Sequence, residues 1–284
     1  MFRLGVVSFL NARPLIEGLE TDPQVQLDFA VPAALPERLA HGDVDAALVP
    51  IIDVLRSHRR YRVVSDACIG CDGETMTVRV FSQVPPDRVD TLWVDADSHT
   101  SVALARVLWR ELYGRDLTLR PCDPRATDLA DLEAVLLIGD KVMDPRRAGF
   151  AYEIDLGGAW RQHTGLPFVF AVWAMRESVD LLRPVQSPAA TSPIEKLSEL
   201  LELARDHGVA RAAEIAETWG PRHGWPVAAA RRYLTQCMQY RLDARSIEGV
   251  ARFARLCVSA DLVPADAEVS WPRPLRVREA EAPA

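Results

Sequence analysis

Ser82-Gln83-Val84-Pro85-Pro86-Asp87 interrupts a chain that, on either side of it, alternates short apolar runs with helical patterns. Two consecutive prolines remove backbone donors and hold φ at roughly −65°, so the segment is excluded from a sheet interior and reads as a hinge. Upstream, Leu4 to Val7, Gln26 to Phe29, Asp45 to Val49 and Thr75 to Phe81 read as strands, and Leu35 to His41 and Ile51 to His58 as helices. That is the rhythm of a parallel sheet covered by helices. Downstream it restarts with strands near Thr91 to Val94, Leu117 to Arg120 and Ala134 to Ile138, and a helix from about Ser101 to Tyr113. The apolar run Leu166 to Met175 then reads as a buried strand carrying the chain back. The expected class is α/β with two lobes: residues 1–84 with 176–284, and residues 85–175.

The last hundred or so residues read as mostly helical. After the Pro- and Ser-rich stretch Pro184 to Pro193, Ser192-Pro193-Ile194-Glu195 matches a capping box with proline in the first helical turn. Helical patterns then cover about Val209 to Trp219, Val227 to Leu242 and Ser246 to Leu262, before a Pro- and Glu-rich tail without periodicity.

A chain of 284 residues with 49% hydrophobic and 26% charged residues can bury a core of its own. With 33 Lys and Arg against 40 Asp and Glu its net charge is −7, a field that repels nucleic acid, so no such partner is expected. The N-terminus runs straight into a strand pattern, no apolar stretch approaches the roughly 18 to 20 residues of a membrane span, and the five cysteines are unevenly spaced. These features point to a cytoplasmic protein with no membrane partner. Cys68-Ile69-Gly70-Cys71 lacks the second pair that a metal site requires, and neither GxGxxG nor GxxxxGK[ST] occurs. No metal or nucleotide cofactor is expected.

Small polar residues stand just past apolar runs at three places, which is where α/β proteins bind ligands. Asn11 follows the first strand, where it serves as a helix cap or faces a cleft. Ser98, Thr100 and Ser101 precede a helix that needs only one of them as its cap, leaving hydroxyls to hold a carboxylate at the positive helix end. Asp140 ends a third run, suited to capping the next turn or to accepting from a ligand hydroxyl. His163, at a helix end near the returning strand, is a weaker acid–base candidate.

Taken in order, Ser8-Phe9-Leu10-Asn11-Ala12-Arg13-Pro14-Leu15, Asp45 to Pro50, Ser98 to Ser101, Leu137 to Asp140 and Thr164 to Ala171 resemble the menaquinone-biosynthesis family of chorismate dehydratases. The resemblance implies a periplasmic-binding-protein type II-like fold used as a cofactor-independent hydro-lyase. It implies conversion of chorismate to 3-[(1-carboxyvinyl)oxy]benzoate and water, the first step of the futalosine route. It also implies a catalytic role for Asn11, and for Thr77 in Gly73-Glu74-Thr75-Met76-Thr77-Val78, where the family commonly has serine. Ser98, Thr100, Ser101, Asp140, His163 and Arg13 are the candidate substrate contacts, with Arg79 a further cation for a carboxylate. Apart from Asp140 and the weaker candidate His163, no matched residue is an obvious strong base, so the substrate's own enolpyruvyl carboxylate is the expected proton acceptor. Two other readings share the architecture: a cytoplasmic small-carboxylate sensor, and the sister enzyme acting on cyclic dehypoxanthinyl futalosine.

Overall fold

The protein is described from a computed structural model covering residues 1–58, 60–177 and 192–271. Its strands are β1 (Phe2–Val7), β2 (Val25–Ala30), β3 (Ala46–Pro50), β4 (Tyr61–Cys71), β5 (Val78–Ser82), β6 (Thr91–Asp95), β7 (Thr118–Cys122), β8 (Ala134–Ile138), β9 (Tyr152–Asp155), β10 (Phe168–Arg176) and β11 (Gln239–Arg241). Helices α1 (Leu35–His41), α2 (Ile51–Arg56), α3 (His99–Tyr113) and α4 (Leu156–Thr164) lie between strands, and α5 (Pro193–Ala210), α6 (Ala212–Trp219), α7 (Val227–Arg232) and α8 (Ala244–Ser259) follow them.

Among the described residues the strands form two sheets, ordered β11-β4-β10-β3-β1-β2 and β7-β6-β8-β5-β9. In the first, β1 is parallel to both β2 and β3, while β10 runs antiparallel between β3 and β4. In the second, β6 is parallel to both β7 and β8, and β5 is antiparallel to β8 and β9. Each sheet therefore has a strand, β1 or β6, whose neighbours lie on opposite sides of it. The C-terminal end of such a strand is a topological switch point, a crevice between diverging connections.

The chain changes sheets twice, at places other than those the prolines suggest. Strand β5 pairs inside the second sheet, so the chain leaves the first sheet between Cys71 and Val78, ahead of the hinge read at Ser82 to Asp87. Pro86 instead starts a short turn inside the second lobe, its carbonyl accepting from Trp109 Nε1 at 2.9 Å. The return falls between Asp155 and Phe168, and β10 lies wholly in the first sheet. Sheet membership thus moves the boundaries inferred at 84 and 175 to about 72–77 and 156–167.

The outgoing passage is tied down by Asp155. This carboxylate caps α4 by accepting from Gly158 N at 3.0 Å, and it also accepts from Thr75 N at 2.9 Å and Met76 N at 2.8 Å. Met76 holds φ at 62°, a left-handed conformation costing a non-glycine residue about 1–3 kcal/mol, which these bonds offset. Burial pushes the Asp155 carboxyl upward from its ordinary range, against its backbone hydrogen bonds and Arg79.

Other departures have local causes. β4 escapes the period-two pattern because it lies inside the sheet between β10 and β11, with Ser65 and Ala67 to Cys71 buried, so both faces are covered. Cys68 and Cys71 are buried within it, and desolvation raises both thiols. The pattern at Val227 to Leu242 is not one helix: α7 passes into a π-helical turn at Tyr233–Cys237 and then into β11. The capping box at Ser192 and Glu195 forms with both reciprocal bonds. Most of the stretch from Pro184 to Pro193 lies outside the described residues, as does the tail beyond Trp271. Before that point the tail joins the first sheet's margin through a bridge between Arg62 and Ser270.

Candidate active site

The corner after β1 turns tightly because Pro14 denies an α-helix its donor; Leu10–Ile16 is a 3₁₀ helix. Phe9, not Asn11, occupies its cap position, so Asn11 sits one residue inside. At the corresponding corner after β6, Ser98 caps α3 by accepting from Ser101 N at 3.3 Å. Thr100 is drawn toward the first lobe, donating to Phe170 O at 3.2 Å and accepting from Ile52 N at 3.4 Å. Ser101 lines the wall beside it.

These two corners sit at the two switch points and open into one cavity. Asn11, Thr77, Ser98, Thr100 and Ser101 all contribute to its wall, with Phe9, Thr75, Gly139 and Phe170. Thr77 reaches it from the passage between sheets, where Thr75 Oγ1 accepts from Thr77 N at 3.0 Å and Val78 N at 2.9 Å. Gly139 is held beside Thr77 by a backbone bond of 2.9 Å to its carbonyl. With φ of 57°, and 2.6 Å between its would-be Cβ and the Phe9 ring, this position admits only glycine while Phe9 roofs the cavity.

Among the described residues on that wall, no Lys or Arg is present and His99 is the one titratable side chain. An anion there relies on the backbone donors of the α3 N-terminus and on neutral hydroxyl and amide groups. Asn11 instead offers an acceptor to a ligand hydroxyl: its Oδ1 is buried and has no hydrogen-bond partner among the described residues. An unmet buried acceptor costs about 1–3 kcal/mol, which is recovered when a ligand donates to it. His99 places Nδ1 2.8 Å from Asp53 Oδ2, which leaves its other ring nitrogen as the protein base nearest the wall.

Three expected contacts lie elsewhere. Arg13 pairs with Glu20 at 2.8 Å and stacks 3.5 Å from the Trp219 ring centroid, satisfied away from the cavity. His163 stands on α4, 3.5 Å from Glu111. Asp140 is consumed by structure: Oδ1 accepts from Trp225 Nε1 at 2.8 Å and from Leu10 N at 3.4 Å, and Oδ2 meets His223 Nδ1 at 2.7 Å. Arg79, the guessed cation, is likewise engaged with Glu74, Glu153 and Asp155. Asp140→Ala would strand the buried Trp225 donor, and is expected to destabilise the protein by about 2 kcal/mol, read as a lower midpoint in urea unfolding.

Among known proteins, a family described as menaquinone biosynthesis matches residues 2–259. The chain belongs to that family. Among curated relatives, this menaquinone-biosynthesis protein is 28% identical over 267 residues to a chorismate dehydratase of Thermus thermophilus, covering 88% of this chain and 93% of the relative. It is 22% identical over 265 residues to a chorismate dehydratase of Campylobacter jejuni, covering 91% and 98%. A solved Archaeoglobus fulgidus protein superposes with a TM-score of 0.67 at 14% identity, over 92% of this chain and 98% of that one. The alkanesulfonate-binding protein of Xanthomonas axonopodis does so at 0.66 and 13%, over 95% and 97%. The Escherichia coli periplasmic aliphatic sulphonate binding protein follows at 0.61 and 12%, over 94% and 95%. The fold of this menaquinone-biosynthesis protein is thus of the periplasmic-binding-protein type, as its sequence resemblance implied. Among its described residues no helix is long and apolar enough to cross a membrane.

Two site features had little sequence signal. His99 reads as a bystander among hydroxyls until the fold brings Asp53 of α2 against it. Tyr233 lies some 150 positions from Thr77, yet its hydroxyl is 2.8 Å from Thr77 Oγ1.

Proposed function

We propose that this chain is a cytoplasmic, cofactor-independent hydro-lyase that converts chorismate to 3-[(1-carboxyvinyl)oxy]benzoate and water. The observation that carries the reading is the single cavity uniting Asn11, Thr77 and the N-terminus of α3 at two switch points. A small dicarboxylate fits a wall of this kind, which offers fixed neutral donors in place of mobile cations. One carboxylate is held at the start of α3, where the first-turn N–H groups and the helix dipole favour negative charge.

The reaction removes a proton from C3 and the hydroxyl from C4, which leave together as water while the ring becomes aromatic. The substrate's enolpyruvyl carboxylate takes the C3 proton and passes it to the departing hydroxyl, which leaves as water and restores the carboxylate; a tethered base gains effective concentration that the cavity wall need not supply. Thr77 donates to the departing oxygen, meeting the charge that develops there, and Asn11 accepts from its proton, which fixes the orientation of the hydroxyl. Chorismate has other exits, and holding its carboxylates and hydroxyl in one geometry selects among them.

Incubating the purified chain with chorismate, and in parallel with cyclic dehypoxanthinyl futalosine, tests the reading by chromatography of products. Aromatic product from chorismate alone is expected. Product only from the second compound would move the assignment to the sister reaction, and binding without turnover would make the chain a sensor. His99→Gln separates the two bases: a general base supplies about 10²–10⁴-fold, so a loss below about tenfold in kcat supports the substrate carboxylate, and a larger one supports the imidazole.

A further inference from the structure

We infer that Tyr233 is a positioning residue for this reaction, joining Asn11 and Thr77 into one ordered chain of donors; the inference rests on the dehydratase reading of the cavity. Tyr233 is buried, 1% exposed, behind the wall that Thr77 presents. It opens the π-helical turn after α7, a local rewinding of the helix that redirects side chains and recurs at functional sites.

Two contacts hold it, and a third bond anchors the ring on which it stacks. Its hydroxyl lies 2.8 Å from Thr77 Oγ1. Its ring lies nearly parallel to that of Trp225, at 9° and 4.9 Å between centroids. Trp225 is itself anchored through Nε1 on Asp140 Oδ1, the same oxygen that accepts from Leu10 N next to Asn11. One cluster therefore backs both corner residues. Burial pushes the phenol well above its ordinary range, while hydrogen bonding from Thr77 and Asn11 acts against that rise. The phenol keeps its proton throughout the neutral range, and with one proton it can donate in one direction only.

The order of donors follows from the available acceptors. The phenol donates to Thr77 Oγ1, which leaves its oxygen to accept from the Asn11 amide, the group that opposes the rise of the phenol. The Thr77 proton has only Thr75 O nearby, at a long 3.4 Å, and so serves a ligand oxygen in the cavity. Asn11 Oδ1, buried and without a partner among the described residues, is left as an acceptor. A single hydroxyl placed between them donates to Asn11, which orients it, and accepts from Thr77, which is what departure from C4 requires. The arrangement also bears on threonine at this position. Its methyl group stiffens χ1, and the phenol supplies an anchor for the oxygen.

Tyr233→Phe keeps the ring and its stack on Trp225 and removes the hydroxyl alone. The expected result is a fall in kcat of about tenfold or more with KM unchanged within about twofold, because the lost group steers the transition state through its neighbours. In a Thr77→Ala background the same change is expected to alter kcat by less than about twofold, as two groups acting as a unit do. Wild-type kcat in Tyr233→Phe, or equal losses in both backgrounds, would overturn the inference. Should the wild-type chain leave chorismate untouched, the dehydratase reading fails, and the donor chain is judged by nuclear magnetic resonance. The Asn11 side-chain amide signal is expected to shift in Tyr233→Phe without ligand, and an unchanged signal overturns the proposal.

Discussion

Asn11→Ala is expected to lower kcat for chorismate by about 10²-fold, the usual consequence of losing a group that fixes the geometry of the reacting atoms. The fold should not suffer in parallel. Asn11 Oδ1 has no partner among the described residues, and the corner's tight turn is set by Pro14 and by packing under α5 rather than by the amide. Deleting an unmet buried acceptor relieves about 1–3 kcal/mol, while the amide's lost bond to Tyr233 costs about 0.5–1.5 kcal/mol, so the melting temperature is expected to stay near that of the wild type. Steady-state kinetics with a thermal melt on the same sample decides the matter. Activity lost together with stability would make Asn11 a structural residue, and retained activity would remove it from the site.

The second large effect is on the fold. Gly208 of α5 lies against the corner so closely that an added Cβ would stand 1.9 Å from Pro14 O and 2.5 Å from Pro14 C. Both are backbone atoms on a turn that proline already stiffens, so neither can move aside as a side-chain tip would. Alanine for glycine inside a helix ordinarily stabilises by about 1 kcal/mol; here overpacking reverses the sign. Gly208→Ala is expected to destabilise by about 3 kcal/mol or more, a fall in melting temperature of about 5 °C or more. Protein that still folds should turn over chorismate poorly, because a shift near 1 Å at a positioning residue costs about 10²-fold. A melting temperature at or above wild type would show that α5 does not seat on the corner as described.

Residues that act close to where they lie in the chain were legible beforehand. Ser98 was a cap or a ligand, and it is a cap that also lines the cavity. Asn11, Thr77, Thr100 and Ser101 were placed by strand-to-helix corners and by family resemblance, and they share one wall. Charged candidates fared differently, since a charge takes whichever opposite partner the fold brings nearest. Glu20 and Trp219 claim Arg13, Glu111 faces His163, and Trp225, His223 and Leu10 occupy Asp140. The double proline drew the hinge reading because proline reports only that a sheet interior is excluded; it does not report which sheet the preceding strand joins.

By itself, then, the amino-acid sequence determined the α/β class, the two returns of the chain, the capped start of α5 and the polar corners. Each is written in local periodicity, caps and breakers, which act over a few residues. The tertiary structure alone decided that β5 pairs in the second sheet, that His99 meets Asp53, and that Tyr233 and Trp225 close behind Thr77. Those outcomes depend on contacts between segments far apart in the chain. Packing and hydrogen-bond satisfaction select such contacts only once the whole core has formed.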